Sequence, residues 1–299
     1  MAEAPPLRSR RGKVTGYHAA ASDASMHEKP YIAELCNICG SGRFRRIHYF
    51  KEWTLGREPV RDVSIVRCGK CGVRRRMPGI TDEYEKDYHT PYIDQGQAIH
   101  PHGLSHFADL MTARLRQFSA RDVKFLDVGC STGRALRLAA AMGFIPTGLD
   151  FSKWAAGHCA QLGFETRQGN LLGQWQDAEI FDVIHCSHTI EHVPDPVAYL
   201  RGMHRLVKSG GQLMLAFPNY ASLPRFVLRE KWGTWCLDSH LWQFPAAQMC
   251  RLLRAEGFSI FSCRTLHGYT PDSRWKRKLL DAAAAAGFGD GCNIVAVKG

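Results

Sequence analysis

Long apolar runs are missing from this sequence. Its longest run of alanines, 282–286, is only five residues long, whereas a membrane-spanning helix needs roughly 20 apolar residues. The first residues contain arginines but no apolar core behind them, as a secretory signal would have. The sequence therefore predicts no membrane span and a cytoplasmic location.

The even, dense cysteine framework of a small secreted domain is also missing, because the chain has 11 cysteines in 299 residues. Four of them form two C-x-x-C pairs, Cys36 with Cys39 and Cys68 with Cys71, separated by 28 residues. Each pair is followed by glycine, which suits the tight turns of a tetrahedral zinc site. Four cysteine ligands leave no position for water, so we expect structural zinc; the alternative is a redox dithiol.

Acidic residues are scarce at the N-terminal end. Residues 1–80 hold 16 lysines and arginines against 7 acidic residues, while residues 81–299 hold 23 against 21. The net charge of +11 therefore resides mainly in the N-terminal part, and a zinc ion on four thiolates would leave about +7 there. Such a surface attracts anions, either nucleic acid or a nucleotide- or lipid-linked phosphate, unless it is only solvated.

Composition divides the chain into four segments. Residues 1–30 mix Pro, Ser, Ala and Arg without period, which predicts a disordered basic tail, and residues 31–80 are the zinc-binding module. Residues 81–122 form a polar, tyrosine-rich connector with an amphipathic capping helix at 103–118. Residues 123–299 alternate strand-like and helix-like stretches, which predicts an α/β domain with a doubly wound parallel sheet.

Seven strands are predicted in this last segment, at 124–129, 145–150, 164–169, 181–187, 211–218, 258–266 and 292–299. The last two flank a basic, alanine-rich helix at 273–286. They are expected to form an antiparallel edge of the sheet.

A dinucleotide fingerprint is incomplete in FLDVGCSTGRAL, because Gly129 and Gly133 are followed by no third glycine. The spacing disfavours NAD, yet a tight turn between strand and helix still suits a nucleotide-like cofactor. Asp150 ends the next predicted strand. A carboxylate at that position can accept both hydroxyls of a ribose.

Four motifs occur in order: DVGCSTG, Asp150, FDVIHCSHTIEHVPDP and VKSGGQLMLAFPN. Together they resemble class I S-adenosylmethionine (SAM) methyltransferases over roughly residues 103–299, with Ser131 in place of one usual glycine. The resemblance implies an α/β fold with a Rossmann-like seven-stranded sheet, SAM as cofactor and a small N-terminal zinc-ribbon-like module. The cofactor-binding residues that it implies are Tyr88, Asp127, Gly129, Cys130, Gly133, Asp150, Phe151, Asn170, Leu171 and Ser187. Asp150 would hold the ribose, and Phe151, Asn170 and Leu171 would lie at the adenine.

The cysteine pairs followed by a tyrosine-rich segment resemble bacterial methyltransferases of sugar, polysaccharide and natural-product pathways. In that subgroup Tyr84, Tyr88 and Tyr92 would form a strap over SAM. Its deoxysugar C-methyltransferases carry a further C-terminal domain, whereas this sequence ends at the last strand. We therefore expect O-methylation, with C- or N-methylation as the alternative.

Histidines are concentrated where an acceptor is expected. HTIEHVPDP places His188, Glu191 and His192 at the carboxyl end of the fourth predicted strand, where ligands bind in open α/β sheets. Similar segments of ubiquinone-pathway O-methyltransferases can hold a divalent cation, although His188 replaces their first acidic residue. The alternative is that His188 and Glu191 only hold the loop together.

The aromatic segment KWGTWCLDSHLWQFP contains His240, which matches the position of the acceptor-side base in the sugar methyltransferases. Its aromatic side chains, Trp232, Trp235, Trp242 and Phe244, suit either a lid over the acceptor or a helical hairpin packed on the sheet. We expect His240 to be the leading catalytic base, followed by His188 and His192.

The sequence thus predicts a SAM-dependent methyltransferase of a small-molecule or carbohydrate acceptor, working as a monomer or homodimer. An RNA base methyltransferase with a basic zinc module is an alternative, but the N-P-P-Y/F motif is missing after the fourth predicted strand. A catalytically silent SAM-fold binding module is the other alternative.

Overall fold

The computed structural model describes residues 35–55, 59–78, 122–267 and 273–299. The predicted tail, the predicted capping helix, nearly all of the connector and the tyrosines Tyr84, Tyr88 and Tyr92 lie outside the described residues. No helix within the described ranges is long and apolar enough to cross a membrane.

A small antiparallel sheet follows the first cysteine pair. Its strands, in the spatial order β1-β2-β3, are β1 (Phe44–Trp53), β2 (Val60–Cys68) and β3 (Arg74–Met77). β1 and β2 lie between the two cysteine pairs and are antiparallel, with Phe44 opposite Cys68, so both pairs lie at one end of the sheet. This sheet is the body of the predicted zinc-ribbon-like module.

The main sheet has seven strands in the order β6-β5-β4-β7-β8-β10-β9. They are β4 (Lys124–Val128), β5 (Ile145–Asp150), β6 (Glu165–Gln168), β7 (Phe181–Ser187), β8 (Val207–Pro218), β9 (Phe258–Leu266) and β10 (Gly291–Lys298). The first five are parallel, and β10 runs antiparallel to both of its neighbours. The predicted seven-stranded sheet and its antiparallel edge are confirmed, although β8 begins four residues earlier than predicted.

Six α-helices lie between the strands in the described residues: α1 (Arg134–Ala141), α2 (Lys153–Gln161), α3 (Pro196–Leu206), α4 (Leu223–Leu228), α5 (Ala246–Ala255) and α6 (Arg274–Ala285). Local chemistry fixes where they begin. Asp195, for example, accepts a hydrogen bond from the Ala198 amide at 2.9 Å, and Pro196 occupies the first turn of α3. The strand residues between them, such as Phe125, Leu126 and Ile184, are fully buried.

The strand order reverses at β4. The chain runs from β4 to β5 and β6 on one side, and then returns to β7 and β8 on the other. In parallel sheets, ligands bind beyond the carboxyl ends of the strands at such a reversal. The loops that follow β4, β5, β7 and β8 therefore form the expected site.

The aromatic segment between α4 and α5 packs against the small sheet. It contains two short 3-10 helices, Arg229–Lys231 and Gly233–Trp235, and no helical hairpin. Trp232 and Trp235 are buried in one cluster with Phe50 and other apolar residues of β1 and β2. Trp242 and Phe244, by contrast, are buried in the main core, where the Phe244 ring lies 6.2 Å from that of Phe217 on β8. The segment thus packs on both sheets without forming the expected helical hairpin, and its role as a lid stays a prediction.

Candidate cofactor and acceptor site

The turn after β4 has little room for side chains. Gly129 has a φ of 82°, and a Cβ atom there would lie 2.1 Å from the Thr189 Oγ1 atom. Gly133, with a φ of 75°, precedes the first turn of α1. Ser131 between them also has a positive φ, of 46°. The amides of Gly129, Cys130, Ser131 and Gly133 already donate to protein oxygens, so the turn offers a cofactor a close approach of the backbone beside the N-terminus of α1.

Asp150 connects the end of β5 to this turn. One of its carboxylate oxygens accepts a hydrogen bond from the Ser131 amide at 2.9 Å, and the other accepts one from the Ser152 amide, also at 2.9 Å. The carboxylate is thus held in one orientation at the carboxyl edge of the sheet. Its predicted role on the ribose stays a prediction.

Asp127 and Cys130 lie beneath the turn. The Asp127 carboxylate is buried and 2.6 Å from the Nδ1 atom of His185 on β7. Burial raises the pKa of Asp127, against the opposing effect of His185. The Cys130 side chain is also buried and faces Gly148. Sequence reasoning missed His185, whose signal was a histidine inside the otherwise apolar β7.

The predicted adenine-side residues differ in exposure. Phe151 and Asn170 are exposed, whereas the Leu171 side chain is buried in the main core. Leu171 can therefore meet a cofactor only through its backbone. Ser187 ends β7 and is half-buried, and Tyr88 lies outside the described residues.

Glu191 is the centre of a histidine cluster. Its carboxylate is only 1% exposed, and Oε1 lies 3.3 Å from the Nδ1 atom of His188. The Nε2 atoms of His192 and His240 are each 3.9 Å from the same oxygen. The structure thus brings together the four acceptor-side residues that the sequence singled out.

The electrostatics of the cluster distinguish its histidines. Burial acts to raise the pKa of Glu191, but the neighbouring histidines, His188 first, lower it to about 2. His188 keeps 58% of its side-chain surface exposed, and Glu191 raises its pKa despite some desolvation. Burial lowers the pKa of His240 to about 3. At neutral pH, His188 is therefore the more basic and the more accessible of the two.

Backbone hydrogen bonds hold the His240 loop on Glu191. The Glu191 carbonyl oxygen accepts from the amides of Leu241 and Trp242 at 2.9 and 3.1 Å. On the other side, the Arg76 amide of β3 donates to the Leu241 carbonyl oxygen at 2.8 Å. The small sheet is thus connected through this loop to the histidine cluster.

The four paired cysteines converge. The Sγ atoms of Cys36 and Cys71 are 3.6 Å apart, as are those of Cys39 and Cys68, and all four lie within 4.8 Å of one another. A tetrahedral ion with sulfur ligands at about 2.3 Å separates neighbouring sulfurs by about 3.8 Å. The four thiols therefore fit a zinc ion.

One more group of side chains has the spacing of metal ligands. One carboxylate oxygen of Glu191 and one ring nitrogen each of His192 and His240 lie within 4.8 Å of one another. This donor set suits a divalent cation. The divalent cation that the sequence offered as an alternative near residues 188–192 therefore stays a prediction. Its possible ligands in the structure are Glu191, His192 and His240, without His188.

Comparisons with known proteins agree with this geometry. Residues 102–262 match a family described as a methyltransferase domain. A ubiquinone biosynthesis O-methyltransferase of Pseudomonas aeruginosa is 35% identical over 103 residues, 32% of this chain and 44% of the relative. The corresponding protein of Coxiella burnetii is 35% identical over 111 residues, 35% of this chain and 47% of the relative. The chain thus spans less than half the length of these curated relatives.

Solved structures share the fold. A chain from the complex between the Haloferax volcanii Trm112 methyltransferase activator and a methyltransferase aligns with a TM-score of 0.54 and 17% identity. The alignment covers 73% of this chain and 99% of that one. A Burkholderia thailandensis 1,6-didemethyltoxoflavin-N1-methyltransferase aligns with a TM-score of 0.50 and 16% identity, over 71% of this chain and 84% of that one.

Proposed function

This chain belongs to the family of SAM-dependent methyltransferase domains, and on that premise we propose that it methylates an oxygen atom of a small-molecule or carbohydrate acceptor. The observation that carries the proposal is the Glu191 cluster. It lies just beyond β7, at the same carboxyl edge of the sheet as the turn after β4. The O-methyltransferase names of the curated relatives support oxygen as the methylated atom.

SAM supplies an electrophilic methyl group on a sulfonium, a transfer that needs no metal. The turn from Gly129 to Gly133 would line the methionine end of SAM, and Asp150 would hold its ribose. Gly129 cannot be larger without meeting Thr189. These residues would hold the cofactor in one orientation, and alignment of this kind supplies much of the acceleration in two-substrate reactions.

We assign the proton transfer to His188 in preference to His240. With its Nδ1 atom toward Glu191, His188 has its other nitrogen, Nε2, available to an acceptor hydroxyl. A general base works best when its pKa lies near the operating pH and it can reach the proton. His188 is exposed and the Glu191 carboxylate raises its pKa, whereas His240 is 6% exposed and burial lowers its pKa to about 3.

Glu191 then acts as a positioning residue. Its carboxylate orients the imidazole of His188 and stabilises the imidazolium that forms as the acceptor hydroxyl loses its proton. His192 and His240 surround the same carboxylate, and the zinc module holds the His240 loop in place through β3. The zinc is structural in this proposal.

The test is a screen of the purified full chain with methyl-labelled SAM against sugars, phenolic metabolites and RNA. We expect label in a small hydroxylated acceptor and about 10²-fold slower labelling with His188→Asn, which keeps a side-chain nitrogen near Glu191 but has no group in place of Nε2. Calorimetry with S-adenosylhomocysteine checks cofactor binding separately. A chain that binds no cofactor would overturn the proposal. Label in RNA alone would show that the acceptor is RNA and not a small molecule or carbohydrate. Light scattering checks the expected monomer or homodimer.

A further inference from the structure

Two arginines from different parts of the chain meet at one tyrosine. Arg74 lies on β3 of the small sheet, and Arg225 lies in α4, shortly after β8. Their guanidinium carbons are 4.6 and 4.1 Å from the centre of the Tyr220 ring. The Nε2 atom of His48 on β1 lies 3.0 Å from the Tyr220 hydroxyl oxygen. We call Arg74, Arg225, His48 and Tyr220 the arginine pocket.

Neither arginine of this pocket has a carboxylate partner among the described residues. Arg74 donates to the Gly72 carbonyl oxygen at 3.2 Å, and Arg225 donates through Nε to the Tyr220 carbonyl oxygen. The Nε atom of Arg74 is buried without a hydrogen-bond partner. The Arg74 guanidinium also donates a hydrogen bond to the Tyr220 hydroxyl. Most of their N–H donors therefore remain available.

Burying two arginines without a counter-charge costs free energy. Arg225 is only 8% exposed, and burial lowers the pKa of both arginines against the opposing effect of Tyr220. Repulsion from Arg67 and from Arg225 lowers the pKa of Arg74 further. Removing a cation from water costs several kcal/mol, whereas stacking a cation on an aromatic ring returns about 0.5 to 2 kcal/mol. An anion bound between the guanidinium groups would supply the missing counter-charge.

The charge and the donor geometry of the two guanidinium groups favour a phosphate group. Two guanidinium groups carry two positive charges and offer forked N–H donors that match phosphate oxygens. A dianionic phosphate satisfies both charges, whereas a carboxylate satisfies one. The Tyr220 hydroxyl adds a neutral hydrogen-bonding group beside them.

The pocket lies on the acceptor side of the fold. Tyr220 follows the end of β8 by two residues, and β8 is the parallel neighbour of β7, which leads into the Glu191 cluster. A ligand anchored at the arginines would therefore be at the same edge of the sheet as His188. We propose that Arg74 and Arg225 bind the phosphate group of a phosphorylated acceptor, an inference that rests on the proposed methyl transfer and narrows its substrate class.

Calorimetry of the full chain with pyrophosphate and with inorganic phosphate tests this site without requiring turnover. We expect wild-type binding of pyrophosphate, and at least ten-fold weaker binding by Arg74→Met and by Arg225→Met, which keep much of the apolar length of the side chain. Arg45→Met is the control, because Arg45 is an exposed arginine on β1 of the same sheet and should leave the affinity unchanged. Arg225→Lys, which keeps the charge without the fork, should bind with intermediate affinity.

The results that would contradict the phosphate site differ from those that would contradict the proposed methyl transfer. Wild-type chain that binds S-adenosylhomocysteine but neither phosphate probe would overturn the pocket and leave the methyl transfer standing. If Arg45→Met weakened pyrophosphate binding equally, the binding would reflect general surface charge, and the arginine pocket would be overturned as well. A 12-nucleotide RNA that binds and is not displaced by pyrophosphate would also overturn a small phosphorylated acceptor. Arg74 and Arg225 lie where the small sheet packs on the loop after β8, so their substitution can also destabilise the fold. Melting temperatures identify any variant that has unfolded. Arg225→Lys, which keeps the charge, then serves as the folded comparison.

Discussion

His192 donates its Nδ1 proton to the carbonyl oxygen of Ser239, 2.9 Å away, and so ties the loop after β7 to the loop that carries His240. A carbonyl oxygen can only accept a hydrogen bond, so the tautomer of a neutral His192 is fixed. Its Nε2 atom is then an acceptor that faces Glu191. This bond fixes the orientation of the His192 ring within the cluster.

A pair of substitutions separates the two nitrogens of His192. In His192→Asn the amide nitrogen can stand near the position of Nδ1 and keep the bond to Ser239, whereas His192→Gln places its amide farther out and loses it. We expect the glutamine variant to lose about 1 kcal/mol, the usual worth of one hydrogen bond, and to melt about 2–4 °C lower. Thermal unfolding of both variants checks this. Equal melting temperatures would show that the bond to Ser239 contributes nothing.

His188 and His240 can be distinguished as bases by turnover. His188→Asn keeps the contact with Glu191 and removes Nε2, so kcat should fall by about 10²-fold or more while the affinity for the cofactor is unchanged. His240→Gln should reduce kcat by less than about ten-fold, because a buried imidazole with a depressed pKa contributes little as a base. Steady-state kinetics at saturating SAM is the measurement. The reverse pattern would return the base to His240, as the sequence had predicted.

The pH profile of kcat should report the ion pair between His188 and Glu191. Burial acts to lower the pKa of His188, but the Glu191 carboxylate raises it above its usual 6.5. A general base works unprotonated, so the rate should fall as the pH drops through this raised pKa. Glu191→Gln removes the negative charge, which destabilises the imidazolium and moves the inflection to lower pH. A profile that does not move in this variant would exclude Glu191 as the partner of the base.

The main sheet was predictable from sequence because its strands are short apolar runs between helix-forming stretches. All seven appear where they were expected, within a few residues at the ends. The start of β8 was missed by four residues because Ser209, Gly210 and Gly211 look like a turn. Pairing with β7 nevertheless extends the strand back to Val207.

The site was only partly predictable. Motif order identified His188, Glu191 and His192 because they share one loop, but it gave no information on their burial, which is what favours His188 over His240. The arginine pocket could not be predicted at all. Arg74 and Arg225 are 151 positions apart in the sequence, and only the packing of the small sheet on the loop after β8 brings them to Tyr220.

Metal analysis should find close to one zinc ion per chain, held by the four paired cysteines. Cys68→Ser should release it, because a hydroxyl is a poor substitute for a thiolate ligand. Cys236→Ser, outside the cluster, is the matched control and should keep the metal. The zinc-binding module also contacts the helices of the main sheet, since Gln248 of α5 donates to the Cys71 carbonyl oxygen at 3.2 Å. Loss of zinc should therefore lower the melting temperature of the whole chain, and a wild-type protein that folds without zinc would contradict the assignment.

Asp150 should be required for cofactor affinity beyond its role in holding the turn. Asp150→Asn keeps one of the two oxygens that accept the Ser131 and Ser152 amides, and it loses the other oxygen together with the charge that would hold a ribose. A charge-assisted hydrogen bond contributes about 1.5–3 kcal/mol, so SAM should bind roughly 10- to 150-fold more weakly, as measured by calorimetry. Asp182→Asn is the control, because Asp182 also accepts a backbone amide, that of Lys124 at 2.9 Å, but lies at the opposite edge of the sheet. If both variants bind SAM as the wild type does, Asp150 only supports the turn and the ribose is held elsewhere.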